Sequence, residues 1–303
     1  MRKRKMGIIG LGLSLLLVGC SFPGKESGTT TPPPPAVTES APANVPGTTE
    51  QRKNTEKQAT VKKNAEHTFT IASHSVVKDR SGSDVLVIEY SWTNNSGKET
   101  SFMVACQDRV YQNGVECPSY AVMIDEVDSQ QQMVDIKPGT TLNLKVGYVL
   151  QDNTNAIVEV TDFLGQDYYL QQTIDLGGGE GKNSGASTAS SETTIKISEV
   201  FLSKDYKGKD VLVVKYEYTN GDDKAHAFST TFDDKVYQNG VECSSLAVFC
   251  DDVDSNTGLA SVKPGVTLIV EEGYLLNDKS DVEIEVKELF GDKVYLSEKR
   301  SIQ

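Results

Sequence analysis

Apolar and polar residues alternate with a period of two along several short stretches. From Val85 to Thr93, Leu86, Ile88, Tyr90 and Trp92 are apolar, while Glu89 and Ser91 are polar. The same rhythm recurs at Leu212, Val214, Tyr216 and Tyr218, with Lys215 and Glu217 between them. Leu142, Leu144, Val146, Tyr148 and Leu150 alternate likewise, as do Val282, Ile284 and Val286. A period of two sends successive side chains to opposite faces of an extended chain, so each stretch reads as a half-buried strand. No stretch carries a convincing helical period. In the first half of the chain, strands are predicted near 68–77, 84–93, 100–112, 115–123, 140–150, 156–162 and 167–175.

The turns between them are written in the sequence too. Asn113-Gly114 and Asn239-Gly240 suit type I′ hairpin turns, whose two central residues both need positive φ. Lys137-Pro138-Gly139 and Lys263-Pro264-Gly265 are turns in which proline presets φ. These pairs belong to an internal repeat. Val110-Tyr111-Gln112-Asn113-Gly114-Val115-Glu116-Cys117 recurs, 126 positions later, as Val236 to Cys243. The offset holds without a gap from Thr68 (Thr194) to Leu170 (Leu296), with about 44 identities over these 103 aligned positions. Units of that size hold their own cores and exceed solenoid repeats, so this is domain duplication. Seven short antiparallel strands per unit predict an all-β chain with two tandem immunoglobulin-like β-sandwich domains.

Composition changes the picture at the ends and between the repeats. The 303 residues are 37% hydrophobic, low for a globular chain, and the net charge is −13. Seven of the ten prolines, Pro23 to Pro46, lie in a Thr/Ser-rich stretch without hydrophobic period, which reads as a disordered tether over 20–66. A Gly/Ser-rich segment over 177–192 reads as a flexible linker between repeats at 67–176 and 193–303. Each repeat is itself acidic, with 6 basic against 15 acidic residues in the first and 13 against 21 in the second. Like charge and a flexible linker predict repeats that stay apart and move independently. The acidity also argues against nucleic acid as a partner.

Residues 1–19 read as an export signal. Arg2 to Lys5 form a basic start, Met6 to Val18 an apolar stretch too short to span a bilayer, and Leu17-Val18-Gly19-Cys20 looks like a bacterial lipobox. Cys20 is the expected lipidation site, placing the mature chain on the outer face of the cytoplasmic membrane. The membrane is then a partner through the N-terminal lipid.

Taken with the Tyr-Gln-Asn-Gly-Val hairpin, the Lys-Pro-Gly turn and the Gly-Tyr-x-Leu motifs at Gly147–Leu150 and Gly273–Leu276, the lipobox gives the chain a family likeness. It resembles Gram-positive surface lipoproteins that carry immunoglobulin-like domains of unknown function. The resemblance implies an extracellular β-sandwich and no known activity.

Candidate chemistry is sparse. His67, His74 and His226 have Thr193, Val200 and Thr100 as repeat counterparts, so none recurs, and all three read as surface residues. No nucleophile elbow, zinc-binding helix or phosphate loop is present. The chain reads as a non-enzyme with no cofactor. Export permits disulfides, and Cys106 with Cys117, and Cys243 with Cys250, are the pairs available within each repeat. Against pairing, Cys106 and Cys250 align with Phe232 and Ile124, as buried thiols would, and the hairpin register holds Cys106 well away from Cys117. The pairing stays open. Asp252, Asp254 and Asn256 begin like a calcium loop, but Lys263 stands where the closing Glu belongs. Tyr111 and Tyr237 should point outward beside the hairpins, where a partner contact or cross-strand packing are the two uses.

The functional expectation is a lipid-anchored extracellular interaction protein whose two modules bind an unidentified protein or wall polymer with avidity. The alternative is an accessory or structural subunit of a membrane or cell-wall assembly complex, docking through sheet edges.

Overall fold

A computed structural model describes residues 66–119, 124–181, 192–246 and 248–302. Cys20, the export signal and nearly all of the tether lie outside the described residues. The first repeat contains β1 (His67–Lys78), β2 (Asp84–Asn94), a helical turn α1 (Phe102–Ala105), β3 (Gln107–Gln112), β4 (Val115–Glu116), β5 (Thr141–Val149), β6 (Ala156–Thr161) and β7 (Tyr168–Ile174). The second contains β8 (Thr194–Lys204), β9 (Asp210–Thr219), β10 (His226–Ala227), α2 (Phe228–Thr231), β11 (Phe232–Gln238), β12 (Val241–Glu242), β13 (Ser261–Val262), β14 (Thr267–Leu275), β15 (Val282–Glu288) and β16 (Val294–Arg300).

Each repeat is an antiparallel β-sandwich. In the first, β1-β2-β5 form one sheet, and β4-β3-β6-β7 lie in the other. In the second, β8-β9-β14 face β12-β11-β15-β16. That strand order is the immunoglobulin-like one, three strands against four. The duplication extends to irregularities: β1 slips between Ile71 and Ser73, and β8 slips between Ile197 and Glu199. The hairpin turns are as predicted, with φ of 52° and 79° at Asn113 and Gly114 and 51° and 79° at Asn239 and Gly240.

Inward-facing Leu86, Ile88, Tyr90 and Trp92 join Leu144, Val146, Val158 and Val160 in the first core. Leu212, Val214, Tyr216 and Tyr218 join Val270, Ile284 and Val286 in the second. The other face of β2 and β9 is buried as well, at Val85, Val87, Val211 and Val213. A loop lies over that face in the second repeat, and Gly273 makes room for it. A Cβ there would stand 3.1 Å from Val248 Cγ1 and 3.3 Å from Val253 Cγ2.

Two predicted strands are shorter than their patterns suggest. The stretch 100–112 begins with a helical turn, because Phe102 and Ala105, three residues apart, both go into the core and share a face only in a helix. In the stretch 115–123, of which 115–119 are described, Val115–Glu116 is strand and 117–119 is not. Cys117 N–H still donates to Val110 O at 2.7 Å, but the Pro118 carbonyl then accepts from Val149 N–H at 2.9 Å. Val149 belongs to β5, so the chain has crossed to the opposite sheet.

The repeats do not stand apart. β13 of the second repeat pairs with β4 of the first through Val262 and Val115, making one six-stranded sheet in the order β10-β13-β4-β3-β6-β7. Independence on the linker and mutual repulsion are therefore corrected. Specific backbone pairing and a local charge match at the seam outweigh a diffuse like charge, which salt screens over about 8–10 Å.

Candidate functional site

Alternation along β3 sends Gln107, Arg109 and Tyr111 to the outer face of the first sandwich. β6 pairs Glu159 with Arg109 and Thr161 with Gln107, while β7 adds Gln171 opposite Glu159. The Lys-Pro-Gly turn of the second repeat lands on this face. Lys263 Nζ donates to Glu159 Oε1 at 2.7 Å and lies 4.3 Å from the Tyr111 ring centroid. Gln171 Nε2 donates to the same carboxylate oxygen at 2.8 Å. Lys263 N–H donates to Gly114 O at 2.9 Å, and Ser261 N–H donates to Glu116 Oε2 at 3.2 Å. The Lys263 and Glu159 side chains are 17% and 9% exposed, so this pair is largely withdrawn from water. Val115 packs into the core of the second repeat.

Beside the seam opens a cleft of about 470 Å³. The first repeat lines it with Gln107, Arg109, Thr161 and Tyr168, and the second with Lys224 and His226. Gln107 Nε2 donates to Phe163 O at 2.8 Å. Arg109 is held 3.8 Å from Glu116. His226 lies 3.6 Å from Asp222. Burial holds the Tyr168 hydroxyl above the usual phenol range, with Glu159 adding to the effect. Amide, guanidinium, ammonium, hydroxyl and phenol groups line the cleft beside the carboxylates of Glu159 and Asp223, a mixed donor and acceptor surface that suits a hydroxyl-rich ligand bound by hydrogen bonds and ring contact.

The model of the family "Domain of unknown function (DUF5067)" matches residues 43–162 and 179–288, one match on each repeat and together well over half of the chain. The chain belongs to this family. Each DUF5067 match overlaps one sandwich and ends before its last strand, β7 or β16, and the cleft lies where the two DUF5067 domains meet. No curated protein matches the chain significantly. Among solved structures, that of an inhibited exo-β-D-glucosaminidase is similar at 14% identity and a TM-score of 0.25, over 75% of this chain and 26% of that one. The chain thus spans about a quarter of that enzyme's length.

Both DUF5067 domains carry the same buried polar device. Tyr148 donates to Asp108, and its hydroxyl lies 3.0 Å from that of Tyr90. Tyr274 donates to Asp234 and lies 3.0 Å from Tyr216 in the same way. Burial raises both aspartates, against the opposing effect of the tyrosine hydrogen bonds. Asn94 Nδ2 donates to the carbonyls of Lys98 and Ile136 at 2.8 and 3.0 Å, and Asn220 does the same to Lys224 and Val262 at 2.7 and 2.6 Å. The repeat identities at these positions mark them, but only the structure shows which polar groups meet. In this arrangement the Tyr–Asp pairs tie the two sheets of each sandwich together.

The residues singled out in the sequence are placed as follows. Cys106, Cys117, Cys243 and Cys250 are four free thiols. Cys117 and Cys243 each donate to the preceding glutamine, Gln112 or Gln238, at 3.6 Å, and burial pushes the Cys117 thiol up to about 12. Asp252, Asp254 and Asn256 do not converge. Asp252 accepts from Ser203 Oγ at 2.5 Å, whereas Asp254 Oδ1 accepts from Asn256 N–H at 3.1 Å in a local turn. Among the described residues no three His, Cys, Asp or Glu side chains gather. Tyr111 does point out of its own sandwich, but Lys263 covers it, and it is buried. Tyr237 remains half-buried. His74 is exposed and His226 half-buried, yet His67 is buried, a correction to the surface reading. It accepts from Trp92 Nε1 at 3.4 Å and packs among Phe69, Trp92 and Tyr169. Burial lowers its pKa, with Glu66 opposing.

Proposed function

We propose that the chain is an exported, lipid-anchored interaction protein of Gram-positive type, without enzymatic activity, whose paired immunoglobulin-like domains present the seam cleft to a polar polymer of the cell envelope. The lipid is carried on Cys20, in the setting of the basic start, the apolar stretch and the lipobox. The observation that carries the binding reading is the cleft itself. Two domains build one concave polar surface from Gln107, Arg109, Thr161, Tyr168, Lys224 and His226. Ligand sites favour such domain junctions. Hydroxyl-rich saccharide is the chemistry these groups match.

The test measures sedimentation of the purified chain with isolated wall polysaccharide. Wild type is expected to co-sediment, and Arg109→Ala with Tyr168→Ala to lose at least tenfold in affinity, about 1.4 kcal/mol. Cys20→Ala is the control that keeps polymer binding while the chain leaves the membrane fraction. Co-sedimentation unaffected by the cleft substitutions, or none at all, overturns the reading.

A further inference from the structure

The seam between the repeats is heterologous: the face the first repeat offers is different from the face the second one offers. A duplicated chain therefore owns each half twice, and uses each half once.

The half offered by the first repeat is the β4 edge with Tyr111, Gly114, Val115, Glu116 and Glu159. All five recur in the second repeat, as Tyr237, Gly240, Val241, Glu242 and Glu285. There β12 is the outermost strand of its sheet. Val115 is 7% exposed, whereas its counterpart Val241 is 60% exposed. Gly240 and Glu242 are likewise exposed where Gly114 is buried and Glu116 half-buried.

The half offered by the second repeat is Val262, Lys263 and Pro264, which recur in the first as Ile136, Lys137 and Pro138. It is already in shape. Ile136 bridges Thr100 as Val262 bridges His226, and Asn94 holds the Ile136 carbonyl as Asn220 holds that of Val262. Lys137 and Pro138 are exposed, whereas Lys263 and Pro264 are half-buried.

We propose that the chain associates head to tail with a second copy of itself, the β12 edge of one copy taking the Ile136 edge of the next as β4 takes β13 within the chain. Lys137 then pairs with Glu285 of the next copy and lies over its Tyr237, and Ile136 pairs with its Val241. Each copy has one half of each kind left over, a heterologous arrangement that extends as an open string unless its rotation closes a ring. Two positions oppose it. Lys287 Nζ already lies 2.5 Å from Glu285 Oε2 and must share that carboxylate, where the first repeat has Thr161. Asp135 replaces Ser261, and its N–H would meet the carboxylate of Glu242 with a second carboxylate alongside. Two chain acids face each other there, so the association is weaker than the internal seam and belongs to high local concentration, as on a membrane surface.

The test uses the full chain with Cys20→Ala, in sedimentation velocity from micromolar to millimolar concentration. The mean mass is expected to rise with concentration past that of a dimer. Asp135→Ser is expected to lower the concentration needed by about tenfold. Lys137→Glu or Glu285→Lys alone should leave monomers, and the two combined in one chain should restore the rise. Asp135 and Lys137 are exposed and Glu285 is half-buried beside Lys287, and unchanged circular dichroism verifies that each variant is folded. A chain that stays monomeric throughout, even with Asp135→Ser, overturns the proposal. So does a mass rise that ignores charge reversal at Lys137 and Glu285, or one that stops at a dimer.

Discussion

Replacing Lys263 by Met removes the cation at the seam and keeps its aliphatic stem. Two charges 2.7 Å apart attract by about 6 kcal/mol at an effective dielectric of 20, most of it offset by desolvation. The loss that matters is the Glu159 carboxylate left 9% exposed without its partner. Breaking a fully buried pair in this way costs about 3–5 kcal/mol. Gln171 still donates to the same oxygen, which lowers the figure, while the lost contact over Tyr111 adds about 1 kcal/mol. The expected net is about 2–3 kcal/mol. Trp92, the chain's one tryptophan, is buried in the core of the first repeat, and Lys263 lies in the second. Urea unfolding followed by Trp92 fluorescence therefore reads the effect across the seam, while far-UV circular dichroism reads both repeats. Both midpoints should fall by about 1 M, given a slope of about 2–3 kcal/mol/M. Adding Glu159→Gln should recover more than half of the loss, because it removes the orphaned charge. A Trp92 midpoint that stays put while the circular dichroism midpoint moves would refute energetic coupling of the repeats through this contact.

Two further outcomes follow from the cores. Glu272 stands on the inward face of β14 where the first repeat has Val146, and burial, with Asp234 nearby, raises its carboxyl to about 8 from an ordinary 4.5. A folded-state pKa above the unfolded one lets stability drain as pH rises from 4.5 to 8 and level off beyond, so Glu272→Val should gain about 4 kcal/mol more at pH 8.5 than at pH 4.5, and a gain equal at both would sink the assignment. Tyr148→Phe removes the donor to Asp108 and the partner of Tyr90, and should lower the Trp92 urea transition by about 2 kcal/mol. Tyr274→Phe should cost a similar amount in the second repeat by circular dichroism, and neutrality of both would mean that the tyrosines only fill space.

The sandwiches are legible in the sequence because their causes are local. Alternation at Leu86, Ile88, Tyr90 and Trp92 is enough to place β2, and Asn113-Gly114 is enough to place its hairpin, since few other dipeptides take two positive φ values in a row. Phe102 shows where local pattern fails. Its neighbours have strand-like residues, but the core asks for Phe102 and Ala105 on one side, and one helical turn supplies that. Loop cover escapes for a similar reason: Val85 and Val87 look like ordinary strand residues, and nothing near them in the chain says that their face is also closed.

The seam is illegible for a stricter reason. Lys137 and Lys263 sit in the same tripeptide, and Val115 and Val241 in the same hairpin, so every local signal at one member of a pair is present at the other. Yet one member is covered and the other open. Identity across the repeat therefore shows that a surface is available twice, and only the fold shows which copy of it is occupied. The substitutions that break the identity carry the remaining information. Ser261 keeps the inner seam free of a like charge beside Glu116, and Asp135 places that charge at the outer half, opposite Glu242. A carboxylate there makes any outer contact weaker than the inner one, so the tandem forms first and the proposed string forms only where copies are crowded.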